Sequence, residues 1–324
     1  KTAIKELGSN EILLVAGKGH EKTQDYGNKI INFSDKKVIV EIIKKRKYSI
    51  KKSNWSNLLA KKVFKDNSLN DVNYSGVSIN TKNIKKNNLF FAIRGKKNDG
   101  HKFVKEAFKK GAIRSIVSTK KGQPFSNKII KVKNTFSSLN DLAKVTRDAT
   151  SAQIIGITGS TGKTTLKNLI GFALKNYGKV YYSPHSYNNK FGVPLSLSNL
   201  KSNTEYGVFE IGMDKKGEIN NLSKIVKPEI AIITNISEAH IKNFNTLKDI
   251  AKAKSEIIDN ISKDGNVILN RDDKFFRFLS NKAKKRGIRV ISFSSKQKAN
   301  ISLLESKRIK NYYRLKIIVK NKIF

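Results

Sequence analysis

Four short apolar runs in the second half of the chain predict buried strands. They occupy residues 154–158, 206–211, 229–236 and 265–269, and the segments between them place apolar residues at the three- and four-residue spacing of helices. Strands that alternate with helices form a parallel sheet covered on both faces. We therefore expect a doubly wound α/β domain, in which ligands bind at the carboxyl ends of the strands.

The residues before this domain predict a smaller α/β unit. NLFFAIRG, which begins at residue 88, and DGHKFVKEAFKKGAIRSIVS, which begins at residue 99, give the order strand, loop, amphipathic helix, glycine cap and strand. This order is typical of a βαβ unit in a parallel or mixed sheet. Nearer the start of the chain, apolar runs predict short strands at residues 12–16 and 37–43. That first stretch is too short for an independent core.

The charge balance is strongly basic, with 66 Lys and Arg against 25 Asp and Glu and a formal net charge of +41. Such a charge favours nucleic acid or an anionic membrane surface as a partner. The basic residues are spread along the whole chain, however, whereas nucleic-acid-binding proteins cluster them. No apolar run approaches the ~20 residues that span a bilayer. We expect neither a nucleic-acid nor a membrane partner, and the absence of Cys agrees with a cytoplasmic location.

The segment GITGSTGKTT, residues 156–165, predicts a phosphate-binding loop. A strand that leads into a glycine-rich turn and then a helix directs main-chain N–H groups and the positive helix end at one point. Ile157 occupies the first glycine position of the usual motif, but the strand and helix on either side support the prediction. Lys163 would reach the β- and γ-phosphates of ATP, and Thr164 would bind Mg²⁺. The alternative is a glycine-rich turn with a surface lysine.

Other polar residues follow the predicted strands at the same edge of the sheet. Glu210 ends an apolar strand and is a candidate Mg²⁺ ligand, or else a carboxylate at the rim. Asn235, Glu238 and His240 follow the next strand. A lone histidine is more often structural than functional, but its place at a strand end favours a role facing a ligand.

Two further features have both a functional and a structural interpretation. Lys254 lies on the apolar face of a predicted helix, so that it either extends past the edge of that face or is held in the site as a charged or modified group. Asn188 and Asn189 form an amide pair in a loop before a Gly-Val-Pro turn. They would bind a peptide or a carboxylate, although turn chemistry also explains them.

Taken in order, GITGSTGKTT, SYNNKFGVPLSL, FEIGMD, TNISEAHIKNF, AKAKSEI and LNRDD resemble the Mur ligases of peptidoglycan synthesis, from about residue 47 onwards. The Asn-Asn loop and the Glu-Ile-Gly-Met segment are most similar to the members that join D-alanyl-D-alanine to UDP-N-acetylmuramoyl-tripeptide. The segment Asn80-Thr81-Lys82 departs from the Asp-Ser/Thr-Arg that is usual there. LLVAGKGHEKTQ resembles the end of the ligase one step earlier, in which residues matching Gly17 and Glu21 contact the incoming diaminopimelate or lysine.

The resemblance implies three regions: residues 1–44 as the remnant of a preceding ligase, 45–150 as a UDP-sugar-binding domain, and 151–324 as an incomplete ATP-binding central domain. The family's third, Rossmann-like domain would be absent from the chain. The fold class expected is therefore α/β throughout, with a mixed N-terminal domain ahead of the doubly wound one.

The resemblance also implies an ATP-dependent, ADP-forming ligase that acts as a monomer. The tripeptide carboxylate would attack the γ-phosphate, and the amine of D-alanyl-D-alanine would attack the resulting acyl phosphate. The implied residues fall into three sets. The catalytic set is Lys163, Glu210, His240 and Lys254. The ATP set is Gly159, Ser160, Thr161, Gly162, Lys163, Thr164, Thr165 and Asn270. The substrate set is Thr81, Asn188 and Asn189.

For the metal, the resemblance implies that Thr164, Glu210, His240 and a carbamylated Lys254 bind Mg²⁺. Two functions of other classes remain as alternatives. The first is a nucleic-acid-associated P-loop NTPase, which the charge of the chain favours. The second is a nucleotide-binding fragment without catalytic activity.

Overall fold

The computed structural model contains two compact units, residues 1–55 and 56–324. It describes residues 23–25, 27, 29–32, 34, 38–39, 55–64, 73–95, 98–119, 126–238, 243–310 and 312–324. In the first unit, strands β1 (Thr23–Asp25) and β2 (Ile30–Asn32) pair antiparallel. The prediction of a strand over residues 37–43 is wrong at Val38 and Ile39, which are helical. The amide of Val38 donates to the carbonyl of Ser34, four residues earlier, at 3.0 Å. The strand predicted at residues 12–16 lies outside the described residues.

The second unit contains two sheets and the helices that cover them. Its strands are β3 (Gly76–Ser78), β4 (Asn88–Phe91), β5 (Ala112–Val117), β6 (Ile129–Lys131), β7 (Gln153–Thr158), β8 (Val180–Tyr182), β9 (Tyr206–Glu210), β10 (Ile230–Ile233), β11 (Asn266–Asn270), β12 (Arg289–Ser294), β13 (Ile301–Ile309), β14 (Tyr312–Val319) and β15 (Lys322–Ile323). Helix α1 (Trp55–Val63) begins at the last residue of the first unit. The other α-helices of the second unit are α2 (Val104–Lys109), α3 (Thr135–Ala149), α4 (Lys163–Ala173), α5 (Gly192–Ser198), α6 (Glu218–Val226), α7 (Leu247–Ser255) and α8 (Phe276–Lys285).

The smaller sheet has the strand order β3-β4-β5-β6, and all of its strands are parallel. The predicted βαβ unit is confirmed as β4, α2 and β5. All four residues of β4 are buried. Phe90 and Ala92 pack against Val104 and Ala107 of α2, so one helix face closes this small core.

The larger sheet has nine strands in the order β8-β9-β7-β10-β11-β12-β13-β14-β15. The strands from β8 to β13 in this order are parallel, and β14 and β15 extend the sheet as an antiparallel ribbon. Thr158 of β7 pairs with Ile233 of β10, and Ile157 pairs with Glu210 of β9. The three strand ends therefore meet at one edge.

Helices cover both faces of the larger sheet, so the expected doubly wound arrangement is confirmed. On one face, Leu166 and Ile170 of α4 pack against buried residues of β7, β9 and β10. On the other face, α5, α6, α7 and α8 contribute to a single larger core. Apolar side chains are buried on both sides of the central strands, which explains their nearly continuous apolar sequence. No helix of the described residues is long and apolar enough to cross a membrane.

Asn199, which follows α5, joins the two sheets. Its side-chain oxygen accepts from the amide of Val77 in β3 at 2.9 Å, and its side-chain nitrogen donates to the carbonyl of Val77 at 3.0 Å. The ammonium of Lys201 donates to the carbonyl of Ser75 nearby. A Cβ at Gly76 would lie 2.7 Å from the Asn199 side-chain oxygen, so a larger residue here would displace the Asn199 side chain.

Arg147, near the end of α3, makes a second junction with the larger sheet. Its guanidinium donates to the carbonyls of Val226 and Lys227, both at 2.7 Å, and to the carboxylate of Glu229 at 2.5 Å. Glu229 also accepts from the amide of Ile154 at 2.6 Å. These bonds attach the end of α3 to the first residues of β7 and β10.

Candidate functional site

The predicted phosphate loop lies between the end of β7 and the start of α4. Gly159 has φ +146° and Gly162 has φ +77°, a region of backbone conformation that favours glycine. A Cβ at residue 159 would also lie 1.8 Å from the hydroxyl of Thr234. Helix α4 begins at Lys163, and its first N–H groups have no partner within the helix. The loop therefore has the backbone and the helix end that suit an anion.

The loop is fastened to the residues that follow β10. The amide of Ser160 donates to the carbonyl of Asn235 at 2.9 Å, and the amide of Thr161 donates to the Asn235 side chain at 3.0 Å. The Asn235 side-chain nitrogen donates to the Thr161 hydroxyl at 2.7 Å. The Ser160 hydroxyl donates to the carbonyl of Ser237 at 2.9 Å, and the Thr234 hydroxyl donates to the carbonyl of Thr161 at 2.7 Å. Asn235 thus fixes the shape of the loop.

Two lysines converge on the carbonyl of Gly159. The ammonium of Lys163 donates to it at 2.9 Å and to the carbonyl of Ser160 at 3.1 Å. The ammonium of Lys254 donates to the same Gly159 oxygen at 2.9 Å. Lys254 is 2 % exposed, so it does not extend past the edge of its helix face.

The environment of the two lysines destabilises their charged forms. Burial lowers the pKa of Lys163, an effect that the charge of Glu210 opposes. Burial and then the neighbouring charge of Lys163 lower the pKa of Lys254 to about 7. A surplus of positive charge in a buried place favours the arrival of an anion.

Glu210 lies at the end of β9 and is 1 % exposed. One of its carboxylate oxygens accepts from the hydroxyl of Thr164 at 2.8 Å, and the other accepts from the side chain of Asn188 at 2.7 Å. Mg²⁺ is bound in proteins by one or two carboxylates together with phosphate oxygens and water. The adjoining oxygens of Glu210 and Thr164 therefore fit that ion. Among the described residues, no three His, Asp or Glu form a group that would hold a metal.

Some of the predicted site residues serve local structure. The side-chain oxygen of Asn189 accepts from the amides of Phe191 and Gly192 at 3.0 and 2.9 Å, so it caps the start of α5. The Asn270 side chain accepts from the amide of Asp272 at 2.9 Å, in the turn after β11. Thr165 is exposed on the first turn of α4.

The structure thus brings together Gly159, Lys163, Thr164, Glu210, Lys254 and Asn188. Thr81 lies apart from them, in the short 3-10 helix between β3 and β4, where it is 7 % exposed and hydrogen-bonds to Glu106. The predicted residues Gly17, Glu21 and His240 are outside the described residues.

Two cavities flank the cluster. The first has a volume of about 710 Å³ and lies between the smaller sheet and the residues after β8, where it is lined by Asn80, Lys82, Lys85, Pro184, Tyr187 and Lys201, among others. Thr81 does not line this cavity, although Asn80 and Lys82, which precede and follow it in the sequence, do. The second has a volume of about 530 Å³, and its lining includes Phe136, Lys163, Asn188, Phe191, Asp214 and Glu218. The segment 184–191 contributes to both cavities.

Lys167 was not among the predicted site residues, although it lies four residues after Lys163 on the same face of α4. It is 1 % exposed, and its ammonium donates to the carbonyl of His185. The spacing of four residues was the one signal in the sequence that placed it beside Lys163.

Comparison with known families identifies both parts of the second unit. Residues 157–323, more than half of the chain, match the Mur ligase middle domain. The chain belongs to the Mur ligase family. Residues 73–148 also match this family, as the "Mur ligase family, catalytic domain".

Several Mur ligases are similar to this chain over much of its length. The UDP-N-acetylmuramoyl-tripeptide--D-alanyl-D-alanine ligase of Rickettsia prowazekii is 37% identical over 254 residues, which is 78% of this chain and 56% of that protein. The ligase of the same name from Bacillus subtilis is 37% identical over 199 residues, 61% of this chain and 44% of its own. The chain spans about half the length of these curated relatives.

Solved structures of Mur ligases have the same fold. A crystal structure of MurF from Acinetobacter baumannii superimposes with a TM-score of 0.71 at 26% identity, over 84% of this chain and 59% of that one. The MurF ligase from Thermotoga maritima in complex with ADP superimposes with a TM-score of 0.66 at 28% identity, over 77% and 57%. The resemblance drawn from the sequence motifs is confirmed.

Proposed function

We propose that this chain is part of an ATP-dependent Mur ligase that joins D-alanyl-D-alanine to UDP-N-acetylmuramoyl-tripeptide in the cytoplasm. The observation that supports it best is the cluster of Lys163, Thr164, Glu210 and Lys254 at the carboxyl edge of the larger sheet. The names of its relatives support the choice of substrates. We further propose residues 1–44 as a remnant of another ligase, 45–150 as the sugar-nucleotide domain and 151–324 as part of the ATP domain.

The phosphate loop and α4 would bind the triphosphate of ATP. The main-chain amides of the loop and the ammonium of Lys163 would hold the phosphate oxygens. Thr164 and Glu210 would hold Mg²⁺, which neutralises charge on the phosphates when it is bound. Asn235 would keep the loop in shape through its three bonds to Ser160 and Thr161.

The first cavity would bind the sugar nucleotide, since the ammonium groups of Lys82, Lys85 and Lys201 suit a diphosphate. The peptide would follow the segment 184–191 to the second cavity, beside Lys163. Its terminal carboxylate would attack the γ-phosphorus with ADP as leaving group. The amine nitrogen would then attack the acyl carbon, release phosphate and lose a proton.

Lys163 and Lys254 would make this reaction feasible, because a carboxylate and a phosphate repel each other unless positive charge lies beside them. Lys254 has a second possible state. With a pKa of about 7, part of its amine is neutral near neutral pH and available to CO₂. The nitrogen would form a bond to the carbon of CO₂ and lose a proton, giving a carbamate that supplies oxygen ligands.

The proposal is tested first by binding and then by turnover. Calorimetry on this chain should detect binding of both ADP with Mg²⁺ and UDP-N-acetylmuramoyl-tripeptide, with UDP-N-acetylglucosamine as a control that lacks the peptide. In a protein that spans the full length of the curated relatives and contains this sequence, phosphate release should require both the tripeptide and D-alanyl-D-alanine and should give a UDP-pentapeptide. Phosphate release that is independent of both substrates, or stimulated by DNA, would overturn it in favour of another NTPase.

A further inference from the structure

Lys167 is a buried lysine that the proposed chemistry does not use. It lies one turn after Lys163, and its ammonium donates to the main-chain carbonyl of His185. Burial lowers its pKa, an effect that the charge of Glu210 opposes. Burying an ammonium is unfavourable, and an apolar residue would fill this helix face at a lower cost. The contact with His185 therefore requires an explanation.

Helix α4 is packed so that Lys167 must meet the residues after β8. Gly171, one turn further along the same face, approaches the ring of Tyr182, and a Cβ at Gly171 would lie 2.6 Å from that ring. The helix is consequently held close to the end of β8. Lys167 lies beside the segment 184–191 that begins there, which we call the bridging segment.

The bridging segment contacts both parts of the proposed site. The hydroxyl of Ser186 is 3.4 Å from that of Thr164 on the nucleotide side. The hydroxyl of Tyr187 accepts from the side chain of Asn83, in the short 3-10 helix between β3 and β4, at 3.2 Å. Asn188 follows directly and donates to Glu210. Pro184, His185 and Tyr187 line the first cavity, so a shift of this segment would alter that cavity directly.

His185 has an uncommon backbone conformation. Its φ is +48°, in the left-handed region that residues with a Cβ disfavour. Its carbonyl accepts the bond from Lys167, and its imidazole ring lies 5.9 Å from the ring of Tyr187. A hydrogen bond from a charged donor offsets the cost of such a conformation.

We propose that Lys167 is a positioning residue that holds the bridging segment, so that binding of the sugar nucleotide depends on it much more than binding of ATP does. ATP binding is less sensitive because Asn235 fixes the phosphate loop from the other side. The identity of the sugar nucleotide rests on the proposed function. The placement of the bridging segment by Lys167 does not.

The test compares Lys167→Met, which keeps an unbranched apolar stem of similar size and removes the ammonium, with Lys175→Met. Lys175 is an exposed lysine just beyond α4 whose ammonium lies 5.8 Å from the ring centre of Tyr182, and it makes a matched control. For each variant of this chain, hydrogen exchange is measured at residues 184–191 and 159–165. Calorimetry gives the affinities for UDP-N-acetylmuramoyl-tripeptide and for ADP with Mg²⁺.

We expect Lys167→Met to speed exchange in the bridging segment and to weaken sugar-nucleotide binding, each by about 10-fold, the effect of losing one charged hydrogen bond. Exchange in the phosphate loop should stay unchanged, and ADP affinity should change by less than about threefold. Lys175→Met should change none of these quantities.

Two results would overturn the proposal. One is unchanged exchange in the bridging segment. The other is faster exchange throughout the chain with equal loss of both affinities, which indicates a merely structural role. If the unmodified chain binds ADP but no sugar nucleotide, the proposed function fails, and hydrogen exchange alone then decides the role of Lys167.

Discussion

Two polar clusters lie at the carboxyl ends of parallel strands, and they differ in how their groups are paired. In the smaller sheet, the His101 ring nitrogen Nδ1 is 2.6 Å from a carboxylate oxygen of Asp99, and its Nε2 accepts from the amide of Ser118 at 2.9 Å. In the larger sheet, Lys163 and Lys254 share one carbonyl oxygen. The first cluster is neutralised internally, whereas the second retains a surplus of positive charge.

The difference shows why residue types alone do not identify a site. Asp99, His101 and Ser118 have the composition of a nucleophilic triad, and the Ser118 hydroxyl is 3.0 Å from Nε2 of His101. A main-chain amide already occupies that nitrogen, so the imidazole is not free to take a proton from the hydroxyl. We therefore interpret this cluster as structural and the lysine cluster as the binding site.

The sharpest test of this comparison removes one charge from the lysine cluster. Lys163→Met should weaken ADP binding by up to about 100-fold, because hydrogen bonds to charged groups contribute about 1.5–3 kcal/mol each. Calorimetry with Mg²⁺ measures the change. The control is Lys144→Met, an exposed lysine paired with Asp141 at 3.2 Å, which should bind ADP normally. Equal affinities in the two variants would contradict the assignment of the site.

The corresponding change in the smaller sheet should affect stability alone. His101→Ala should lower the free energy of unfolding by about 3 kcal/mol, because it leaves a cavity and removes the partners of Asp99 and of the Ser118 amide. Urea unfolding measures this loss. At temperatures at which the variant is folded, its ADP affinity should equal that of the unmodified chain. A selective loss of ADP binding would mean that the two clusters are not separate.

The buried charge of Lys254 should reduce stability in a manner that depends on pH. Its pKa in the folded chain is about 7, against an ordinary value of 10.5. Between these values the unfolded chain binds more protons, so the stability of the unmodified chain rises with pH in that window. In CO₂-free buffer, the free energy of unfolding of Lys254→Met should therefore exceed that of the unmodified chain by about 1–2 kcal/mol at pH 7. This difference should shrink towards pH 10. A difference that is constant from pH 7 to 10 would contradict the buried charge.

The smallest effect concerns Asp99. Burial opposes its ionisation, but hydrogen bonds from His101 and Arg94 outweigh burial and hold its pKa at about 2, below the ordinary 3.8. The resulting stabilisation is present above pH 3.8 and is lost as the pH falls through 2. At pH 5 the free energy of unfolding of the unmodified chain should be higher than that of Asp99→Asn, by less than about 1 kcal/mol because Asp99 is partly exposed. Urea unfolding from pH 5 to 2 should show the difference disappear.

The sequence predicted four neighbouring strands of the nine-stranded sheet, because these strands are buried on both faces. Strands β7, β9, β10 and β11 lie where the apolar runs placed them. The strand predicted to reach residue 236 ends at Ile233, because Thr234 and Asn235 turn to hydrogen-bond the phosphate loop. The sequence predicted that Lys163, Thr164 and Glu210 lie in one site. Lys163 and Thr164 belong to the phosphate-loop motif, and Glu210 ends a strand at the same edge of the sheet.

The remaining contacts depend on the tertiary structure. The four-residue spacing places Lys167 on the same helix face as Lys163, but the local sequence does not show that Lys167 is buried whereas Lys175 is exposed. His101 and Ser118 are 17 residues apart and meet only when β4 and β5 pair. Asn189 makes the turn contacts that were the structural alternative for it, because its side-chain oxygen accepts from the amides of Phe191 and Gly192. That it also binds substrate stays a prediction.

The side chain of Asn199 also affects how this chain meets other chains. Strand β3 lies at one border of its sheet, and such a border presents main-chain groups that recruit strands from other molecules and promote aggregation. Asn199 occupies both main-chain groups of Val77, and Lys201 occupies the carbonyl of Ser75. The residues that hold the two sheets together thus also close this border, so that β3 cannot serve as a template for a foreign strand.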